Sequence, residues 1–175
     1  MTQPPNDVAV LVAIRAASAR DADGIARVFL DSAAYHADLD SERYCVPDFE
    51  SIRERYREGR QHPQESGVAA VTLVAEIAGE LVGFVDARIE RSHDPMHREM
   101  TYCHVSEIAV GNRHRSHGIG SELLRSAEEW GRQHAATFAS LEHHIANTRA
   151  GAFYVGRMGY CVASAILIKP LQTPA

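Results

Sequence analysis

Apolar residues along this chain fall into two spacings, short runs that fit an extended strand and three-to-four-residue intervals that fit a helix. Val8 to Arg15 is rich in Val and Ile and reads as a first strand. Ser18 followed three residues on by Asp21 has the form of a capping box, and Ile25, Val28, Phe29 and Ala33 then share one face of a helix running to about His36. Between Ala37 and Pro47 turn formers and charges take over, after which Phe49, Ile52 and Tyr56 mark a second helix ending near Gly59.

Past the breaker HPQESG, the run VTLVAEIAGELVGFVDARIE reads as two strands joined at Ala78-Gly79-Glu80. A polar connector, RSHDPMHRE, leads to a central strand from Thr101 to Val110. Ile119, Leu123, Leu124, Ala127 and Trp130 then line one face of a helix that reaches about His134. Phe138 to Ile145 supplies another strand, Asn147 opens a turn before a helix over TRAGAFYVGRMGY, and Val162 to Lys169 gives a last strand that Pro170 ends. The resulting order, β-α-α-β-β-β-α-β-α-β, describes an α/β (α+β) fold.

The length of 175 residues suits a single domain spanning 1–175, with the polar, proline-paired residues 1–7 as a frayed tail. No apolar run approaches a bilayer span and MTQPPNDVAV lacks the basic-then-apolar order of a signal peptide, so a cytoplasmic protein with no membrane partner is expected. Cys45, Cys103 and Cys161 are far apart and include no CxxC pair, which argues against a disulfide framework or a thiolate metal site. His93, Asp94 and His97 form a loop group without a further ligand, and no metal is expected. A net charge of −5 argues against a nucleic-acid footprint and is compatible with a cationic acceptor.

The candidate chemistry lies in VSEIAVGNRHRSHGIGSELL, a strand, a glycine turn and a helix start. The first turn of a helix carries unpartnered backbone N–H groups and partial positive charge, which suit a phosphate. Gly118 and Gly120 let an anion approach the backbone, and Arg115 adds a charge with several donors. Read as Val110-x-x-x-x-Arg115-x-x-Gly118-Ile119-Gly120-x-x-Leu123-Leu124, the stretch resembles the acetyl-coenzyme A signature of the GNAT superfamily of N-acetyltransferases, Arg/Gln-x-x-Gly-x-Gly/Ala. The family often has Gly directly after the Arg and Pro in the preceding turn, where this chain has Ser116 and Asn112. Asn147, Ala150, Phe153, Tyr154, Gly159 and Tyr160 also fit the family's second pattern, so the resemblance covers roughly residues 10 to 170.

The resemblance implies a GNAT-like mixed, mostly antiparallel central sheet with helices on both faces and a splayed strand pair around the cofactor. It implies an acyltransferase that moves an acetyl group from acetyl-coenzyme A, its co-substrate, to a primary amine of a small molecule or peptide, and a homodimer is common in similar proteins. Cofactor contacts are expected from Ile108, Ala109, Val110, Arg115, Ser116, His117, Gly118, Ile119, Gly120, Ser121, Asn147 and Phe153, and acceptor contacts from Tyr35, His36, Asp38 and Tyr44. A bulge near Val110 would part this strand from the next and offer an N–H to the oxyanion.

Acetyl transfer needs a neutral amine, and an alkylamine's pKa near 10.4 calls for a base. Glu107 is a charge within the apolar central strand, placed by alternation on the face of Val105 and Ala109 and opposite Ile108. Glu142, in the strand before Asn147, is the second candidate, and either could instead be a buried structural carboxylate. Tyr154 resembles the family's general acid, which protonates the leaving sulfur. A non-catalytic acyl-coenzyme A sensor would keep the cradle and lack that acid. A dinucleotide oxidoreductase would need a Gly-x-Gly-x-x-Gly after an early strand, which this chain lacks.

Overall fold

The computed structural model describes residues 11–59, 68–92, 95–169 and 171. Its contacts divide the chain into two units, Met1–Glu142 and His143–Ala175. Among the described residues the first unit is a five-stranded sheet in the order β1-β2-β3-β4-β5, with β1 Ala13–Ala16, β2 Ala70–Ile77, β3 Glu80–Arg91, β4 Thr101–Val110 and β5 Phe138–Leu141. The first four strands pair antiparallel and β5 runs parallel to β4, so the sheet is mixed and mostly antiparallel, as expected.

Helices α1 (Ala22–Leu39) and α2 (Phe49–Arg57) cover one face. Ile25, Ala26 and Val28 from α1 and Ile52 and Tyr56 from α2 pack there on Val74, Phe84 and Ala109, a row of register partners across β2, β3 and β4. Helix α3 (Ile119–Gln133) buries Leu123, Leu124 and Ala127, and Ala127 accepts a bond from Cys103 of β4 at 3.6 Å. The Cys103 thiol is pushed up to about 11 by burial, which keeps it an inert core residue.

The local signals for these elements are visible in the bonds. The backbone N–H and hydroxyl of Ser18 donate to the Asp21 carboxylate at 2.7 and 2.9 Å, the capping box that opens a 3₁₀ turn into α1. Arg15 of β1 donates to both Asp21 oxygens at 2.7 and 2.9 Å and to Glu76 of β2 at 2.8 Å. Asp48 accepts from the Ser51 amide at 2.9 Å to start α2. Ala78 and Gly79 turn the β2–β3 hairpin with φ of 49° and 84°, the positive pair that a two-residue turn of this hand demands. No helix among the described residues is long and apolar enough to cross a membrane.

Two strand expectations change. The strand expected over Phe138 to Ile145 ends at Leu141, because the β4 ladder stops there, and Ile145 is exposed. In the second unit, Asn147 caps α4 (Thr148–Gly151) by accepting from the Ala150 amide at 3.0 Å, and the chain continues into a π-helical turn over Ala152–Arg157. The strand expected from Val162 to Lys169 is absent from the described residues, and Pro170 lies outside them. A strand is defined by a ladder, which an apolar run cannot supply alone: Val162, Ile166 and Leu167 are exposed. Val8 to Val10, the start of the expected first strand, and the segment HPQESG also lie outside the described residues.

Candidate active site

The strand register places a polar row beside the apolar one. Thr72 of β2, Asp86 of β3 and Glu107 of β4 are cross-strand partners, one step along from Val74, Phe84 and Ala109 and therefore on the same face. Asp86 is 1% exposed. Its two oxygens accept from the Tyr56 hydroxyl of α2 and the Thr72 hydroxyl, each at 2.7 Å. Burial, then the Asp86 carboxylate, push the Tyr56 phenol well above its usual range, so it stays a donor.

Glu107 is partly exposed at the end of this row. Burial, and after it the Asp86 charge, push its carboxyl up to about 7, against a smaller opposing pull from Arg55. Its expected place needs one correction. The register shifts between Asp86 and Ala87, which pair with Glu107 and Val105, so Ser106 is an extra residue in β4. Glu107 shares a face with Ala109 as expected, but the inserted residue turns Val105 to the other side. The register irregularity in β4 accordingly sits at Ser106 rather than near Val110.

The same insertion keeps His104 on the face of Glu107, opposite Arg88. Burial holds the His104 imidazole below its usual value, and its Nδ1 lies 3.1 Å from the Ser140 hydroxyl of β5. Farther along, Tyr102 and Arg88 both donate to Glu90, at 2.6 and 2.7 Å, and together outweigh the burial that would raise its carboxyl. Glu142 lies exposed just beyond β5, apart from the buried row. Of the two carboxylates considered from sequence, Glu107 is the one that stands in the buried row.

Pairing of β4 with β5 runs from Tyr102 with Phe138 to Val105 with Leu141 and stops, whereas β4 continues to Val110. Among the described residues of the first unit, residues 106–110 thus have no ladder partner on the β5 side, in the stretch where the sequence predicts a splay. Ala109 buries its side chain in the core under α1 and α2, so only its backbone faces the opening. Beyond β4 the Gly111 amide donates to Val82 at 2.9 Å and the Asn112 amide to Asp31 of α1 at 3.1 Å, which fix the turn. Arg115 donates from Nε to the Val110 carbonyl at 3.0 Å, and its guanidinium lies 5.8 Å over the Tyr35 ring. The arginine expected only as a phosphate contact therefore also ties the turn to its strand.

Ser116 and Gly118 take φ of 68° and 84°, and Gly118 stands at the N-cap of α3 with no side-chain cap. No atom lies within 4 Å of where a Cβ on Gly118 would be. Its carbonyl accepts from Ser121 and Glu122 at 2.9 and 3.2 Å, which leaves Ile119 and Gly120 as the first amides of the helix. His117 is exposed, with Nδ1 3.3 Å from the His114 carbonyl. The Ser121 hydroxyl is buried in the first turn without a partner among the described residues, on a residue 2% exposed. An uncapped helix start, an open glycine and an orphaned buried hydroxyl beside a strand opening fit the diphosphate and arm of coenzyme A.

Tyr35, His36 and Tyr44 come together as an aromatic group at the end of α1, with ring centroids 6.0 Å apart for the first pair and 5.3 Å for the second. Asp38 stands apart, exposed on α1. In the second unit Tyr154 is buried in the π-helical turn, its ring 5.1 Å from Phe153, 5.8 Å from His143 and 6.1 Å from Tyr160. Asn147 is buried there as the α4 cap. His93 and Asp94 lie outside the described residues.

Asp86 and Thr72 were not singled out from sequence, and Tyr56 was read only as a position on the apolar face of the second helix. Asp86 carried the same signal as Glu107, an acid inside the apolar run LVGFVDARI.

Residues 33–160 match the model of the acetyltransferase (GNAT) family. The acetyl transferase GW6a of Oryza sativa subsp. japonica is 29% identical over 124 residues, covering 66% of this chain and 28% of its own length. The chain thus spans little more than a quarter of that relative. A mutant of the BH1408 protein from Bacillus halodurans superposes with a TM-score of 0.78 at 18% identity, covering 91% of this chain and 99% of that one. The aminoglycoside N-acetyltransferase AAC(6')-Iy in complex with CoA gives 0.65 at 13% identity, over 93% and 96%. At these identities the likeness is one of fold.

Proposed function

The chain belongs to the acetyltransferase (GNAT) family, and from that premise we propose that it transfers an acetyl group from acetyl-coenzyme A directly to a primary amine of a small molecule or peptide. One observation carries the reading: the β4–β5 ladder ends at Val105 with Leu141 while β4 runs on into an uncapped glycine turn and helix start. That arrangement supports a diphosphate site at the helix start with the thioester arm laid along the strand backbone that has no β5 ladder partner among the described residues. The CoA complex of the aminoglycoside acetyltransferase, which shares the fold, supports the same ligand.

In this reading the amides of Ile119 and Gly120, the Ser121 hydroxyl and Arg115 hold the diphosphate, and residues 108–110 align the arm through their backbone. Bound acetyl-coenzyme A supplies the activated acyl group. Glu107 takes the proton from the acceptor's ammonium, because a base with a proton affinity near neutrality is half ready at working pH. We assign Tyr154 the protonation of the leaving sulfur, on its spacing from Asn147 and its place in a π-helical turn. Tyr35, His36 and Tyr44 form the proposed acceptor wall, their rings suited to a cationic amine.

Titration calorimetry of the full chain with acetyl-coenzyme A, paired with a free-thiol release screen over a panel of amines, tests the reading. Binding and amine-dependent thiol release are expected, with binding abolished in Gly120→Glu. Absence of binding in the unaltered protein, or normal affinity in that variant, overturns it.

A further inference from the structure

The row Thr72–Asp86–Glu107 holds two acids side by side at the centre of the sheet. Residues directly opposite in an antiparallel pair have Cβ atoms roughly 5 Å apart, so an ionised Asp86 and an ionised Glu107 repel at short range under little solvent. The two are not equivalent. Asp86 receives a donated bond on each oxygen, from Tyr56 Oη and Thr72 Oγ1, both at 2.7 Å. Those donors come from different elements, α2 and β2, and fix the carboxylate rigidly. Two donated bonds also favour its charged form. Glu107, at the solvent-facing end, is left as the group that exchanges the proton.

We propose that Asp86 is a positioning residue for the transfer reaction: clamped by Tyr56 and Thr72, it keeps the negative charge of an acid pair and thereby makes Glu107 the member that binds and releases one proton. The proposal rests on the reading of Glu107 as the base and adds to it a neighbouring charge that, after burial, raises its proton affinity. The base form of the pair has both acids ionised. When the acceptor's ammonium gives up its proton, that proton goes to Glu107 Oε, the pair then carries one proton on Glu107 and one negative charge on Asp86, and Glu107 returns the proton to solvent before the next turnover. Among the described residues near Glu107 besides Asp86, the Arg55 guanidinium pulls its affinity down, His104 stands on the same face of β4, and Tyr56 and Thr72 act through Asp86.

The consequence is measurable without knowing the acceptor. Carbon-13 labelling of Asp and Glu side-chain carboxyls in the full chain, with Glu107 assigned by its loss in Glu107→Gln, allows a direct pH titration by NMR. In Asp86→Asn the Glu107 midpoint falls by roughly one pH unit or more, because the neighbouring charge is gone. In Tyr56→Phe, which keeps the ring and removes one donor, the Asp86 carboxyl signal begins to shift through the neutral range, where in the unaltered chain, of this pair, Glu107 alone moves. An unchanged Glu107 midpoint in Asp86→Asn overturns the proposal. Should that variant not fold, a motionless Asp86 signal in Tyr56→Phe overturns it equally. The two ideas fail separately: full thiol release by Glu107→Gln defeats the base, whereas the titration speaks only to the coupling.

Discussion

Asp21 and Asp86 are both buried carboxylates, 9% and 1% exposed, yet the chain treats their charges in opposite ways. Asp21 meets a guanidinium: Arg15 grips both oxygens, Ser18 adds two further bonds, and the carboxyl is held far below its usual range, with the Arg15 bonds the largest cause. Asp86 accepts from two neutral hydroxyls and has a second acid beside it. An opposite charge makes a buried acid inert and structural, whereas a like charge keeps one proton of the pair available near neutrality. The first arrangement fastens β1, β2 and the start of α1, and the second stands where the strand register is broken.

The most forceful way to break this contrast is Glu107→Gln, which keeps the shape and removes the proton acceptor. Thiol release with the best amine of the screen falls by about 10²–10⁴-fold, with acetyl-coenzyme A affinity unchanged. A variant that turns over as before would make the acid pair as structural as the Asp21 clamp. Asp21→Ala is the counterpart. It removes a carboxylate with four donated bonds, and urea unfolding shows a loss of about 2 kcal/mol, discounted because Arg15 is exposed. The pH profile of thiol release keeps its shape in that variant.

Much of this was legible in the sequence. The hairpin at Ala78-Gly79, the capping box at Ser18 and Asp21 and the strand–turn–helix from Val105 onward are local, and local signals survive into the structure. Glu107 stood out because a charge in an apolar strand has to be explained. The inserted Ser106 was not legible, since one extra residue leaves no trace in composition yet reverses which neighbours share a face. Arg115 was read for its charge, and its bond to the Val110 carbonyl depends on how the turn folds back. Val162 to Lys169 has a strand's composition, but pairing is not a local property.

A third test sharpens the contrast through pH. The folded-state affinity of Asp21 is lowered, so its stabilisation is complete above the unfolded carboxylate pKa of about 3.9 and is lost as pH falls through the folded value. Glu107 is raised to about 7 and has the opposite sign. Below the unfolded value of about 4.3 it is protonated in both states and costs nothing, and from there to about 7 the folded state loses stability as the pH rises. Thermal unfolding of Glu107→Gln and the unaltered chain therefore diverges with pH, the variant being more stable by ~2 kcal/mol at pH 8 and by little at pH 4. A gap that does not depend on pH would remove the case for a raised Glu107.

The smallest expected effect bears on what kind of bond holds Asp21. Ser18→Ala deletes one of its four donors and leaves the backbone N–H of residue 18 and both Arg15 bonds in place. Because the Arg15 guanidinium holds this carboxylate more strongly than Ser18 does, the loss by urea unfolding at pH 7 is only about 0.5–1 kcal/mol. The deficit should also shrink below pH 4, because the hydroxyl's donation counts most while the carboxylate is charged. A loss as large as that of Asp21→Ala would mean that the cap, and not the ion pair, fixes this corner. The contrast with Asp86 would then narrow to one of neighbours, since both acids would be held chiefly by hydroxyl and amide donors and only the second acid beside Asp86 would set them apart.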